Sequence, residues 1–157
     1  MVSTGSDLTL ADRSIVTSRL IDAPRELVFA AWTDAARIGR WFGPDGFTTT
    51  TEQMDVRPGG VWRFVMHGPD GVDYSNLVVY TEITPPERLS YDHSDGDGSD
   101  TFHNTITFAD EGGKTLLTMT AVLASAEDRK RVAEEHGAIE GGKQTLARLA
   151  AYVEAQA

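Results

Sequence analysis

Two short stretches hold the side chains with the most to offer chemically: ERLSYDH at 87–93 and TFHNTITF at 101–108. Strand alternation puts Leu89, Tyr91 and His93 on one face of the first, so a phenol and an imidazole point the same way. In the second, Phe102, Asn104, Ile106 and Phe108 alternate with Thr101, His103, Thr105 and Thr107, and the latter set reads as solvent-facing. Asn104 is then the polar member of an apolar face, where an amide needs hydrogen-bond partners from protein, water or ligand. The plainer reading is a satisfied structural amide; the sharper one has Tyr91, His93 and Asn104 polarising a carbonyl or enol. No catalytic residue is assigned, because G-x-S-x-G, HExxH and HxH are all absent. A base built from His93 with Asp92 or Asp95 is outweighed by a simpler reading, solvated carboxylates beside the run SDGDGSD at 94–100. His103 reads as a surface histidine, and Arg57-Pro58-Gly59-Gly60 as a tight turn, not a phosphate cradle.

A second set of candidates is apolar. VWRFVMH at 61–67 places Trp62, Phe64 and Met66 on one face, either as cavity lining or as plain core. Trp41 and Phe42 in RWFGPDGF (40–47) stand at a helix end against Gly43-Pro44, where they would form a cavity rim under a movable second helix, or an end plug for the core. Leu146 belongs to a C-terminal stripe with Leu149, Ala150 and Val153.

The elements that must position these residues follow from pattern. Residues 12–21 alternate as a strand; Asp22-Ala23-Pro24 opens a helix carrying Leu27, Val28, Ala31 and Trp32 on one face; a short second helix spans about 35–41. Six strands joined by turns follow, implying an antiparallel meander. Ser125 with Asp128 resembles a capping box, and the rest is helical, with Gly137 and Gly141-Gly142 as either a break or a thin section. The order predicts an α+β fold in which a curved sheet of about seven strands wraps a long C-terminal helix, with two short helices after the first strand. A single helix rarely fills such a sheet, so a cavity is expected between them.

Composition narrows the function. At 157 residues, with 40% hydrophobic and 24% charged residues, one domain over 1–157 is expected, with 1–11 flexible. A net charge of −10 with only 14 basic residues argues against nucleic acid and anionic membranes. No apolar run reaches a membrane span and no secretory signal is visible, which gives a cytoplasmic expectation. Cysteine is absent and the four histidines are scattered, so neither a metal nor another cofactor is expected.

The stretches IDAPRELVFAAWTDAARIGRWFGP, RPGGVWRFVMHGPDG, EITPPERLSYDH, ITFADEGGKTLLTMT and LARLAAYVEA, in this order over about residues 14–155, resemble the SRPBCC, or START-like helix-grip, superfamily. More narrowly they are similar to its branch related to the activator of the Hsp90 ATPase, Aha1-like. The resemblance implies a β-α-α-β6-α fold with a deep cavity; superfamily members bind lipids, hormones or polyketides, and a minority are cyclases, dehydratases or hydroxylases. Relatives often carry Gly-Trp near the start of the final helix where this chain has Gly141-Gly142, so Gly142 in the tryptophan's place implies a larger or differently shaped cavity. The expected function is binding of a small hydrophobic molecule, lined by Trp41, Phe42, Trp62, Phe64, Met66, Tyr91, His93, Asn104, Gly142 and Leu146. Alternatives are a cyclase- or dehydratase-type enzyme using the same cavity, and an Aha1-like chaperone partner. The oligomeric state stays open, a homodimer included.

Overall fold

A computed structural model describes residues 12–95, 101–135 and 137–157. The flexible start expected at 1–11, and residues 96–100 of the SDGDGSD run, lie outside the described residues. Strand β1 (Ser14–Ile21) leads into helices α1 (Arg25–Thr33) and α2 (Ala35–Ile38). Pro24 caps α1 in extended geometry, and its carbonyl accepts from Leu27 and Val28 amides at 3.0 and 3.2 Å, a position where its missing N–H is no loss. Asp34 is extended as well and separates the two helices, its Oδ1 accepting from the Ala36 amide at 2.9 Å. Helix α2 is shorter than the sequence suggested, because the chain turns after Ile38 to bury Trp41 and Phe42.

Strands β2 (Thr48–Met54), β3 (Val61–His67), β4 (Asp73–Thr84), β5 (Arg88–Asp95), β6 (Phe102–Glu111) and β7 (Lys114–Val122) form the meander. β1 closes it by pairing with β7, so the order is β1-β7-β6-β5-β4-β3-β2 with every pair antiparallel. Register shifts at Thr51/Gln53 and Tyr80/Glu82 bend the strands and add to the native twist. β5 runs on through Ser94 and Asp95, which the sequence assigned to a loop; Ser94 pairs with Leu77 and is buried.

Helix α3 (Ala126–Glu135) begins as the capping pattern foretold, with Ser125 Oγ accepting from the Asp128 amide at 3.0 Å. Gly137, at φ +61°, is the break, a conformation that glycine adopts without the Cβ penalty. Gly141-Gly142 lies inside α4 (Ala138–Glu154), which rests on β1 and α1 and buries Leu146, Leu149, Ala150 and Val153.

The largest buried side chains form one aromatic cluster around Trp32 and Phe42. Trp32 makes edge contacts with Trp41, Phe42 and Phe108 at centroid distances of 4.9, 6.4 and 6.2 Å, and Phe42 does the same with Trp62 and Phe64 at 5.0 and 5.5 Å. Trp62 stacks on Phe64 at 3.7 Å. Edge-to-face pairs of this kind add to what area burial alone contributes.

Candidate functional site

That aromatic cluster fills one end of the space between the sheet and α4. The other end, bounded by β1, β5, β6, β7 and the first turns of α4, is hollow. Its inner chamber has a volume of about 170 Å³; an outer cavity of about 730 Å³ opens beneath Asp128, Arg131 and Val132 of α3. Ile15, His93, Phe102, Ala121 and Ala138 border both, so the two volumes make one cleft that narrows inward.

The inner chamber has apolar walls, with Ile15, Phe42, Phe102 and Met119 among them, and a polar end formed by Tyr91 and Asn104. Asn104 Nδ2 donates to the Tyr91 hydroxyl oxygen at 3.0 Å. Asn104 is 5% exposed, yet its Oδ1 has no hydrogen-bond partner among the described residues. The Trp32 indole N–H approaches the Tyr91 hydroxyl without reaching hydrogen-bond geometry, and the buried Tyr80 hydroxyl likewise has no partner among the described residues. Burial pushes the Tyr91 phenol well up, outweighing the hydrogen bond from Asn104, and burial does the same to Tyr80. Both are neutral donors at physiological pH.

His93 stands where the chamber meets the outer cavity, its ring 4.9 Å from Phe102 and 5.7 Å from Phe64. Asn76 Nδ2 donates to the Tyr74 carbonyl at 2.9 Å, which orients its amide so that Oδ1 faces His93 Nε2 at 2.8 Å. The imidazole therefore donates through Nε2 and keeps its lone pair on Nδ1. Although the ring has some exposure to the cleft, desolvation lowers its pKa to about 4.

Of the ten residues singled out in the sequence, Phe42, Tyr91, His93, Asn104 and Gly142 line the inner chamber. Trp41, Trp62, Phe64 and Leu146 do not: each is at most 1% exposed within the core, and Met66 packs partly buried against it. Trp41 is the end plug and not a rim, its indole donating to the Ala31 carbonyl at 3.1 Å. The loop that follows α2, the helix expected to act as a gate, is held in place. Arg148 Nη1 donates to the Gly43 and Pro44 carbonyls at 2.8 and 2.9 Å, and Gln144 Oε1 accepts from the Asp45 amide at 3.1 Å, tying the loop to α4. At Gly142 an added Cβ would meet Thr17 Oγ1 at 3.3 Å and Met119 Cε at 3.5 Å, so any larger side chain there grows into the chamber.

Sequence reasoning missed Asn76, and it missed the wall supplied by Ile15, Thr17, Met119, Ala121, Ala138 and Thr145. Alternation in β1 and β7 carried the signal for four of these; Asn76 depends on the register of β4 against β5, which no local pattern reveals. The outer face of the sheet holds two further arrays. Asp92 Oδ1 pairs with His103 Nδ1 at 2.8 Å, which turns Asp92 away from His93. His67 bridges Thr50 Oγ1 at 2.8 Å and Asp73 Oδ1 at 2.7 Å, a nucleophile–base–acid connectivity, but its side chains are 38% and 64% exposed for His67 and Asp73, not enclosed in the dry pocket that catalysis needs. Among the described residues no group of three His, Cys, Asp or Glu is placed to hold a metal ion, and no helix is long and apolar enough to cross a membrane.

The chain is similar in structure to a Chromobacterium violaceum protein at 26% identity, covering 90% of this chain and 97% of the other with a TM-score of 0.80. It is likewise similar to an Arthrobacter aurescens protein at 25% identity, covering 92% and 88% with a TM-score of 0.85. The AHSA1 protein of Silicibacter pomeroyi shares the fold at 24% identity, covering 92% and 99% with a TM-score of 0.72. No curated protein matches. The pattern of the family described as "Activator of Hsp90 ATPase homolog 1-like protein" matches residues 22–154, which takes in both early helices, the meander and α4. The chain belongs to that Aha1-like family of the SRPBCC superfamily.

Proposed function

We propose that the protein binds a small, largely apolar molecule in the cleft between the sheet and α4, as a carrier, store or sensor within the cytoplasm. The observation that carries this reading is the inner chamber itself: apolar walls converging on a polar end where the buried Asn104 Oδ1 has no partner among the described residues. Apolar volume with a few convergent polar groups is the usual form of a small-molecule site, and an unpaired buried amide oxygen costs stability that a ligand donor would recover.

The cyclase or dehydratase reading would use Tyr91, His93 or Asn104 to polarise a carbonyl or enol, with His93 to move a proton. A pKa of about 4 makes that imidazole a weak base at neutral pH, where general-base catalysis works best with a pKa near the operating pH. Its Nδ1 is better suited to accepting a hydrogen bond, which favours binding over turnover. A chaperone partner, suggested by the family's description, would have to engage the outer surface, where Val16 and Leu20 of β1 are exposed; the cleft itself gives that role no support. Native mass spectrometry of the purified protein, followed by denaturation and identification of released small molecules, tests the reading. A reproducible bound apolar species is expected. A protein that stays free of any small molecule when offered a cell extract would overturn it.

A further inference from the structure

We propose that the inner chamber selects an uncharged ring bearing a hydroxyl group, whose oxygen sits against Asn104 and Tyr91. This rests on the reading of the cleft as a ligand site and adds the chemical class of the ligand's buried end. Size comes first. A chamber of about 170 Å³ is on the scale of the roughly 150 Å³ cavity that accommodates benzene, so it takes one six-membered ring, while the outer cavity holds whatever the ring carries. The ring would lie among Phe42, Phe102, Ile15 and Met119.

Hydrogen-bond accounting then sets the head group. Asn104 Nδ2 is committed to the Tyr91 oxygen, which leaves the hydroxyl proton of Tyr91 to donate and Asn104 Oδ1 to accept. A partner that answers both must donate and accept through one small group, as a hydroxyl does. Turning the amide over exchanges the unpaired atom and still leaves one donor and one acceptor for the hydroxyl to meet. Charge is excluded separately. Among the described residues no Lys, Arg, Asp or Glu lines the inner chamber, and Arg131 at the outer cavity is paired with Asp128 at 3.3 Å, so a carboxylate entering the chamber would be buried without a counter-ion.

The test uses four ring-sized probes, phenol, cyclohexanol, toluene and benzoate, followed by NMR shifts of the Met119 methyl and the Gly142 amide in the full chain. Phenol and cyclohexanol should both bind and benzoate should not; the pair of alcohols separates aromatic from aliphatic ligands of the same hydroxyl class. In Asn104→Leu, the preference for each alcohol over toluene should fall about tenfold, as expected when a buried donor–acceptor site loses one member. Tyr91→Phe changes almost no volume and should show the same direction, so the test survives if the Asn104 variant fails to fold. An unchanged alcohol-to-toluene ratio in a folded variant, or benzoate binding as tightly as phenol, overturns the hydroxyl assignment and leaves the apolar cleft standing. Absence of shifts with all four probes, toluene included, overturns both.

Discussion

His93 must enter the folded protein uncharged. Burial holds its pKa at about 4 against an ordinary 6.5, so as pH falls the unfolded chain takes up the proton first. The stability tied to the neutral ring is complete above about pH 6.5 and is lost as pH drops through about 4, with a ceiling of about 3 kcal/mol for a shift of this size. Urea denaturation at several pH values between 7 and 4 should show the wild type losing up to that much more stability than His93→Gln. Parallel pH profiles for the two proteins would place the ring in a solvated setting instead. At this scale the sequence was informative about faces and silent about depth. Period-two alternation put Tyr91, His93 and Asn104 inward correctly, because the pleat enforces it. It put Trp62 and Phe64 inward too, but could not reveal that they pack behind Phe42, which stands between them and the chamber.

At the scale of elements, the cleft depends on how α4 begins. Gly137 caps the start of α4 in a left-handed conformation, and Gly142 then faces Thr17 and Met119 without a side chain of its own. Gly142→Trp should therefore fill the inner chamber and reduce phenol binding at least tenfold, while the circular-dichroism spectrum stays that of the wild type. Unchanged binding with the fold intact would remove Gly142 from the wall. The order of strands and helices was legible because Pro24, Asp34, the strand-connecting turns and the Ser125 cap are local signals that act within a few residues. Whether Gly137 or the Gly141-Gly142 pair broke the last helix was not legible, since it depends on which segment finds apolar surface to cover. The same holds for Ser94 and Asp95, whose composition reads as loop while their pairing with Leu77 and Asn76 holds them in β5.

For the whole molecule, a ligand that occupies only the folded state adds stability in proportion to the logarithm of its concentration, about 2.7 kcal/mol at one hundred times Kd. For a chain of this length each kcal/mol moves Tm by about 2–4 °C. A thermal melt at saturating phenol should therefore rise by at least 5 °C, and Gly142→Trp should show no such rise. Equal shifts in both proteins would locate binding outside the chamber.

The uneven filling of the fold has a bearing on how such proteins diversify. In the aromatic cluster of Trp32, Trp41, Phe42, Trp62 and Phe64, every ring is wedged against others, so most substitutions there threaten folding itself. Around β1, β7 and the start of α4 the wall is made of small or thinly packed groups such as Thr17, Ala121, Ala138 and Gly142, and exchanging one reshapes a surface without unseating its neighbours. Inheritance of the fold and innovation in what it holds are thereby assigned to opposite ends of one short chain, and specificity can drift while the scaffold stays fixed.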